Sequence, residues 1–148
     1  MVVALQASAA DRLAGTRLTP GEINAMRSIQ AGAGTSGLAA IRTVVLSGDP
    51  SSAGPYTIAL MVPANTRIAA HRHRDYRSAV VISGLWHFGY GEQADDHSTL
   101  ALGPGSFYTE PADDSHFART GDAPAVVYIS GFGPTDTRYA EAANSPHR

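Results

Sequence analysis

Thr66-Arg67-Ile68-Ala69-Ala70-His71-Arg72-His73 is the stretch on which the reading of this chain turns. Side chains at i and i+2 of a strand point to the same face, so His71 and His73 project together. A third imidazole, His116, follows the turn-like run Glu110-Pro111-Ala112-Asp113-Asp114-Ser115. From a neighbouring strand it would complete one side of a metal's coordination shell.

Outward from that stretch, the chain reads as β-structure. From Ile41 onward, β-rich segments of five to eight residues are broken by Gly, Pro, Asn and Asp. The expected strands are 41–47, 56–62, 66–73, 78–83, 85–90, 98–102, 106–109, 115–119 and 125–130, with turns such as Pro63-Ala64-Asn65, Ser83-Gly84 and Gly103-Pro104-Gly105. No helical periodicity runs through this region, so the strands must pack on one another as a sandwich or barrel.

Composition narrows the chemistry. The 148 residues fit one domain, and a hydrophobic content of 43% is enough for a core. Cysteine and lysine are both absent, which excludes thiol nucleophiles, disulfides, thiolate metal sites and lysine Schiff bases. What remains is His, Asp, Glu, Arg, Tyr and Ser, and clustered imidazoles suit a transition metal rather than calcium or magnesium. A net charge of -2 with scattered arginines forms no nucleic-acid stripe, and no apolar run approaches a membrane span. The expected partner is a small molecule, with no nucleic acid and no membrane. A soluble protein is expected, cytoplasmic, or exported if residues 1–9, with the small-x-small run Ala7-Ser8-Ala9, are the remnant of a signal.

Before the β-region, Thr19-Pro20-Gly21-Glu22 has the form of a capping box and predicts a short helix over 20–28. Gly32-Ala33-Gly34-Thr35-Ser36-Gly37 is a literal GxGxxG, but a dinucleotide site needs a strand before it and a helix after it. Here the order is reversed, and the run reads as a flexible linker. The organisation is thus an N-terminal extension (1–40), a β-barrel (41–134) and a C-terminal tail (135–148).

The histidines and their frame resemble the two short motifs of the cupin superfamily. The first motif is Gly, five residues, His-x-His, three or four residues, Glu, six residues, Gly; it matches Asn65, His71, His73, Arg77 and Gly84. The second is Gly, five residues, Pro-x-Gly, two residues, His, three residues, Asn; it matches Gly105, Pro111, Asp113, His116 and Thr120. The match covers roughly residues 58–130. It departs from the pattern at Asn65 and Asp113, which replace Gly, at Arg77, which replaces Glu, and at Thr120, which replaces Asn. The resemblance implies an all-β double-stranded β-helix, or jelly-roll barrel, with a short N-terminal helix. It also implies one divalent transition-metal ion on His71, His73 and His116, with Fe(II) favoured and Zn, Ni, Mn or Cu possible.

With the motif Glu gone, the site resembles the three-histidine cupins, which include β-diketone and thiol dioxygenases. Asp75 would be a substitute ligand if the strand ran straight. Arg77 either pairs with Asp75 or Glu110, binds a substrate carboxylate or enolate, or points to solvent. Glu110 would bond a ligand histidine or the substrate, or form an edge salt bridge. Arg77 and Glu110 are the candidate catalytic residues. His97 and His147 read as solvated, and His87 as facing away from the core or lining the pocket. The aromatic residues Trp86, Phe88, Tyr90, Phe107, Tyr108, Phe117 and Phe132 read as core.

The function expected is that of a metal-binding cupin, an oxygenase acting on a small enolisable carbonyl or carboxylate compound. The alternatives are a sensor-type binding cupin, a metal-dependent lyase or isomerase, and a metal-free epimerase-like cupin. The N-terminal extension and the open edges of so short a barrel point to a homodimer.

Overall fold

The structure, a computed structural model, describes residues 13–146. Among the described residues there are ten strands: β1 (Arg42–Ser47), β2 (Gly54–Val62), β3 (Arg67–Arg72), β4 (Arg77–Ser83), β5 (Trp86–Tyr90), β6 (Leu100–Leu102), β7 (Phe107–Glu110), β8 (His116–Thr120), β9 (Ala125–Gly133) and β10 (Arg138–Tyr139). They pair antiparallel in two five-stranded sheets, ordered β1-β2-β9-β4-β7 and β10-β3-β8-β5-β6. From β2 to β5 and again from β7 to β10, the chain passes from one sheet to the other at every step. That is the winding of the expected jelly roll.

Alternation along the strands builds the interior. Tyr56, Ile58, Leu60 and Val62 of β2 and Ala125, Val127 and Ile129 of β9 point inward, and Ile68, Trp86, Phe88 and Ala118 meet them from the other sheet. Other aromatic residues expected in the core are not there. Phe107 is 62% exposed, and Phe132 and Tyr90 are also exposed, because each occupies an outward position on its strand.

The turns explain why the motif spacing survives its substitutions. Asn65, Gly84, Gly105 and Asp113 all adopt left-handed backbone, with φ of 53°, 78°, 84° and 63°. Asn and Asp tolerate that region better than other non-glycine residues, so the frame is kept where glycine is lost. At Gly84 a side chain is excluded twice over, since a Cβ would also lie 2.1 Å from the Pro124 carbonyl oxygen.

At the N-terminus, α1 (Pro20–Ala25) carries the expected capping box, with the Glu22 carboxylate on the Thr19 amide and the Thr19 hydroxyl on the Glu22 amide. It ends three residues earlier than the sequence predicts, because Met26 is already extended. The run at residues 32–37 is not a free linker. Thr35 and Ser36 are buried, the Arg77 Nη1 donates to the Gly34 carbonyl, and the Tyr139 hydroxyl donates to the Ser36 carbonyl at 2.5 Å. This segment closes one end of the barrel. Among the described residues no helix is long and apolar enough to cross a membrane. The Ala7-Ser8-Ala9 run and His147 lie outside the described residues.

Candidate metal centre

The histidines face the interior because of a bulge in β3. Ile68 pairs with Ala118 and His71 with His116, so three steps on β3 are matched by two on β8. Simple alternation from the inward Ile68 would turn position 71 outward, and the extra residue reverses that. Ile68, His71 and His73 consequently line the same interior cavity.

The three rings converge. Centroids lie 4.4 Å apart for His71 and His116, 5.0 Å for His71 and His73, and 5.2 Å for His73 and His116. One nitrogen from each ring lies within 4.8 Å of the others, a buried group able to hold a metal ion. Each Nδ1 meets a backbone carbonyl: Ala69 at 2.7 Å for His71, Asp136 at 2.5 Å for His73 and Asp114 at 3.3 Å for His116. A carbonyl only accepts, so the neutral ring carries its proton on Nδ1 and presents a bare lone pair at Nε2. His73 Nε2 and His116 Nε2 are buried without any hydrogen-bond partner. Unpartnered lone pairs at the heart of a barrel are costly unless something occupies the space between them, and the donor set fits a divalent transition ion.

Electrostatics keep the rings neutral. Burial, and next the neighbouring His116, push His71 down to about 3. Burial foremost, then Arg77, lowers His73, and burial also lowers His116. Neutral imidazole is the form that ligates.

Arg77 does not point to solvent, nor does it pair with Asp75. It is 2% exposed, and its Nε donates to Glu110 Oε2 at 2.5 Å, the two residues standing opposite each other on β4 and β7. Burial by itself would raise the Glu110 carboxyl, but Arg77 holds it well below the usual range. The Glu110 Oε2 lies 3.6 Å from both His73 Nε2 and His116 Nε2. Asp75 is committed elsewhere: it accepts from the Tyr56 hydroxyl at 2.7 Å and from the Thr135 hydroxyl at 2.5 Å. His87 is half-buried, and His97 is exposed in a short 3-10 turn (Asp96–Ser98).

Leu60, Trp86, Phe88, Tyr108 and Ile129 wall the cavity, whose free volume is about 20 Å³. That is room for an ion or one water. A separate open cleft of about 560 Å³ lies outside it, lined by Thr135, Asp136, Thr137 and Tyr139, and Ser36 borders both spaces. Ser36, Asp136 and Tyr139 were not legible as site residues. Ser36 and Asp136 act through backbone carbonyls, which every residue type possesses, and Tyr139 sits on a two-residue strand with no pattern of its own.

No protein-family model and no curated protein matches the chain. Solved structures do. The polyketide cyclase RemF from Streptomyces resistomycificus has a TM-score of 0.68 at 17% identity, over 90% of this chain and 91% of the cyclase. A cupin-2 domain from Rhodospirillum rubrum has a TM-score of 0.58 at 17% identity, over 71% of this chain and 68% of the other. The DMSP lyase DddQ from Ruegeria pomeroyi has a TM-score of 0.57 at 20% identity, over 72% of this chain and 55% of the lyase. At these identities the likeness establishes the fold, and the chain has the cupin fold.

Proposed function

We propose that the protein is a metal-dependent cupin enzyme acting on an enolisable, multiply carbonylated compound, with His71, His73 and His116 as ligands. The observation that carries this reading is the pair of buried, partnerless Nε2 atoms aimed into one cavity. When bound, a divalent ion supplies Lewis acidity, polarising a carbonyl oxygen and stabilising an enolate. The Nδ1 bonds to the backbone carbonyls of Ala69, Asp136 and Asp114 fix the ring orientations. Arg77 and Glu110 set the charge beside the histidines and orient a substrate oxygen. Trp86, Phe88 and Tyr108 exclude water from the reacting end, while the remainder of the substrate lies in the outer cleft and reaches inward past Ser36.

The cyclase likeness spans nearly the whole of both chains, which supports a redox-neutral reaction such as ring closure of a polyketide-like chain. The second reading is the oxygenase of the three-histidine resemblance, favoured because three neutral histidines would leave the charge of a divalent ion uncompensated, which suits an anionic, chelating substrate. Fold alone does not choose between them. The experiment is to load the protein separately with Fe(II), Zn(II) and Ni(II), after elemental analysis of the purified protein. Turnover of β-diketones and oligoketides is then followed with and without O₂. Oxygen-independent product that disappears in His71→Ala supports the redox-neutral reading. Stoichiometric O₂ uptake supports the oxygenase, and tight binding without turnover leaves a sensor-type binding protein.

We also propose a homodimer. Leu100 of β6 and Phe107 of β7 are exposed where these edge strands leave the barrel open, with a cleft of about 400 Å³ between the two strands, and Val80 and Ile82 are exposed on the adjoining β4. Covering that side removes apolar surface from water.

A further inference from the structure

We propose that Glu110 supplies a fourth, anionic ligand through Oε2. This inference rests on the three-histidine metal reading and adds a residue from a different strand to it. The argument is geometric. Neighbouring donor atoms held at about 2.0–2.2 Å around one ion are spaced about 2.8–3.6 Å apart, whether the ion has four, five or six ligands. The Glu110 Oε2 stands 3.6 Å from His73 Nε2 and 3.6 Å from His116 Nε2. That is too far for a hydrogen bond to either, and neither nitrogen has another partner. A carboxylate oxygen equidistant from two bare lone pairs is repelled by both, and a cation between them would turn the repulsion into coordination. Glu110 is on β7, at the very end of the strand and just before the turn that leads to His116, so its position is fixed on both sides.

Arg77 makes the arrangement tolerable without metal. Its Nε donates to the same Oε2 at 2.5 Å, and a carboxylate oxygen has lone pairs for both a donor and an ion. The arginine cancels the carboxylate charge, so the ion keeps its net charge toward an anionic substrate while gaining a hard oxygen ligand. Ligand preference then shifts from a purely imidazole set toward the mixed N/O set that zinc, iron(II) and manganese(II) accept.

The test uses Co(II) as the probe, titrated into full-length wild type, Arg77→Met, and Arg77→Met/Glu110→Gln, with visible absorption and chelator competition as readouts. The two variants are compared with each other because neither leaves a guanidinium buried alone, and circular dichroism confirms that each is folded. A further single variant, Glu110→Gln, serves if Arg77→Met fails to fold. The expected result is that Arg77→Met keeps the wild-type Co(II) bands. Loss of the carboxylate, in the double variant or in Glu110→Gln, shifts the bands and weakens Co(II) binding by at least about 100-fold. A visible spectrum unchanged on loss of Glu110 overturns the inference whatever the affinity, and leaves the three histidines as the ligand set. Wild type that binds no Co(II) overturns the metal reading itself, a different and distinguishable failure.

Discussion

Arg77 and Glu110 face each other in register across β4 and β7, an ion pair sealed inside the barrel, 2% and 3% exposed. Each charge is tolerable there only because of the other. Removing one partner of such a pair costs about 3–5 kcal/mol, whereas replacing both with neutral groups is often close to harmless. Arg77→Met is therefore expected to lower metal-free stability by that amount, and Arg77→Met/Glu110→Gln to recover most of the loss. Urea denaturation in the presence of chelator measures both. A double variant no more stable than the single one would show that the pair is not the source of the loss.

The same pair shows where sequence reading stopped. The spacing of His71, His73 and His116 and the turns at Asn65, Gly84, Gly105 and Asp113 are local, and local backbone geometry leaves its mark on residue type. Which way Arg77 points depends on the β4 to β7 register, a pairing across 33 residues that neither segment encodes alone. The β3 bulge is equally silent, since no residue between Ile68 and His71 is peculiar to bulges. The glycines at 32, 34 and 37 advertise conformational freedom, and so read as a linker. At Gly34 that composition serves close packing instead: φ is +81°, and a Cβ would meet Thr135 Cγ2 at 3.1 Å.

The buried histidines predict how the metal-free protein responds to acid. In the folded state burial, then His116, holds His71 at about 3, and burial foremost lowers His73 and His116, whereas unfolded histidine titrates near pH 6.5. Below that pH the unfolded chain binds protons that the folded chain refuses, so stability is full above about 6.5 and falls as the pH drops toward 3. Each histidine contributes a slope of up to about 1.4 kcal/mol per pH unit. Glu110, lowered by Arg77 against the opposing effect of burial, adds a loss of the same sign below its ordinary range. Thermal melts in chelator should fall steeply between pH 6.5 and 5 and be nearly level between 7 and 8. A level profile down to pH 5 would contradict the burial of these rings.

Tyr139 ties the segment at residues 32–37 to the barrel. Its hydroxyl donates to the Ser36 carbonyl at 2.5 Å, and its ring centroid lies 5.5 Å from that of His71. Tyr139→Phe keeps the ring and removes the bond, a net loss of about 0.5–1.5 kcal/mol that is spent locally. Amide exchange at Thr35, Ser36 and Gly37 should accelerate about tenfold while the melting temperature changes little. Unchanged exchange would mean that the segment is held by its packing and the Arg77 contact alone.

The exposed apolar side of the barrel yields the last prediction. Val80 of β4 pairs with Phe107 of β7 and with Tyr128 of β9, so these outward side chains form one continuous strip across the sheet. Phe107 is 62% exposed, and Leu100 on the edge strand of the other sheet is 69% exposed. Isolated exposed apolar residues are ordinary, but a contiguous strip beside two open edges is the surface a second copy would cover. Light scattering at high protein concentration should give twice the 15.4 kDa chain mass. Phe107→Glu should shift the population toward monomer by placing a charge at the edge-strand end of the strip, while leaving the interior histidines and metal binding intact. A wild-type monomer at every concentration would remove the dimer, and a Phe107→Glu protein that stays dimeric would move the interface to another face.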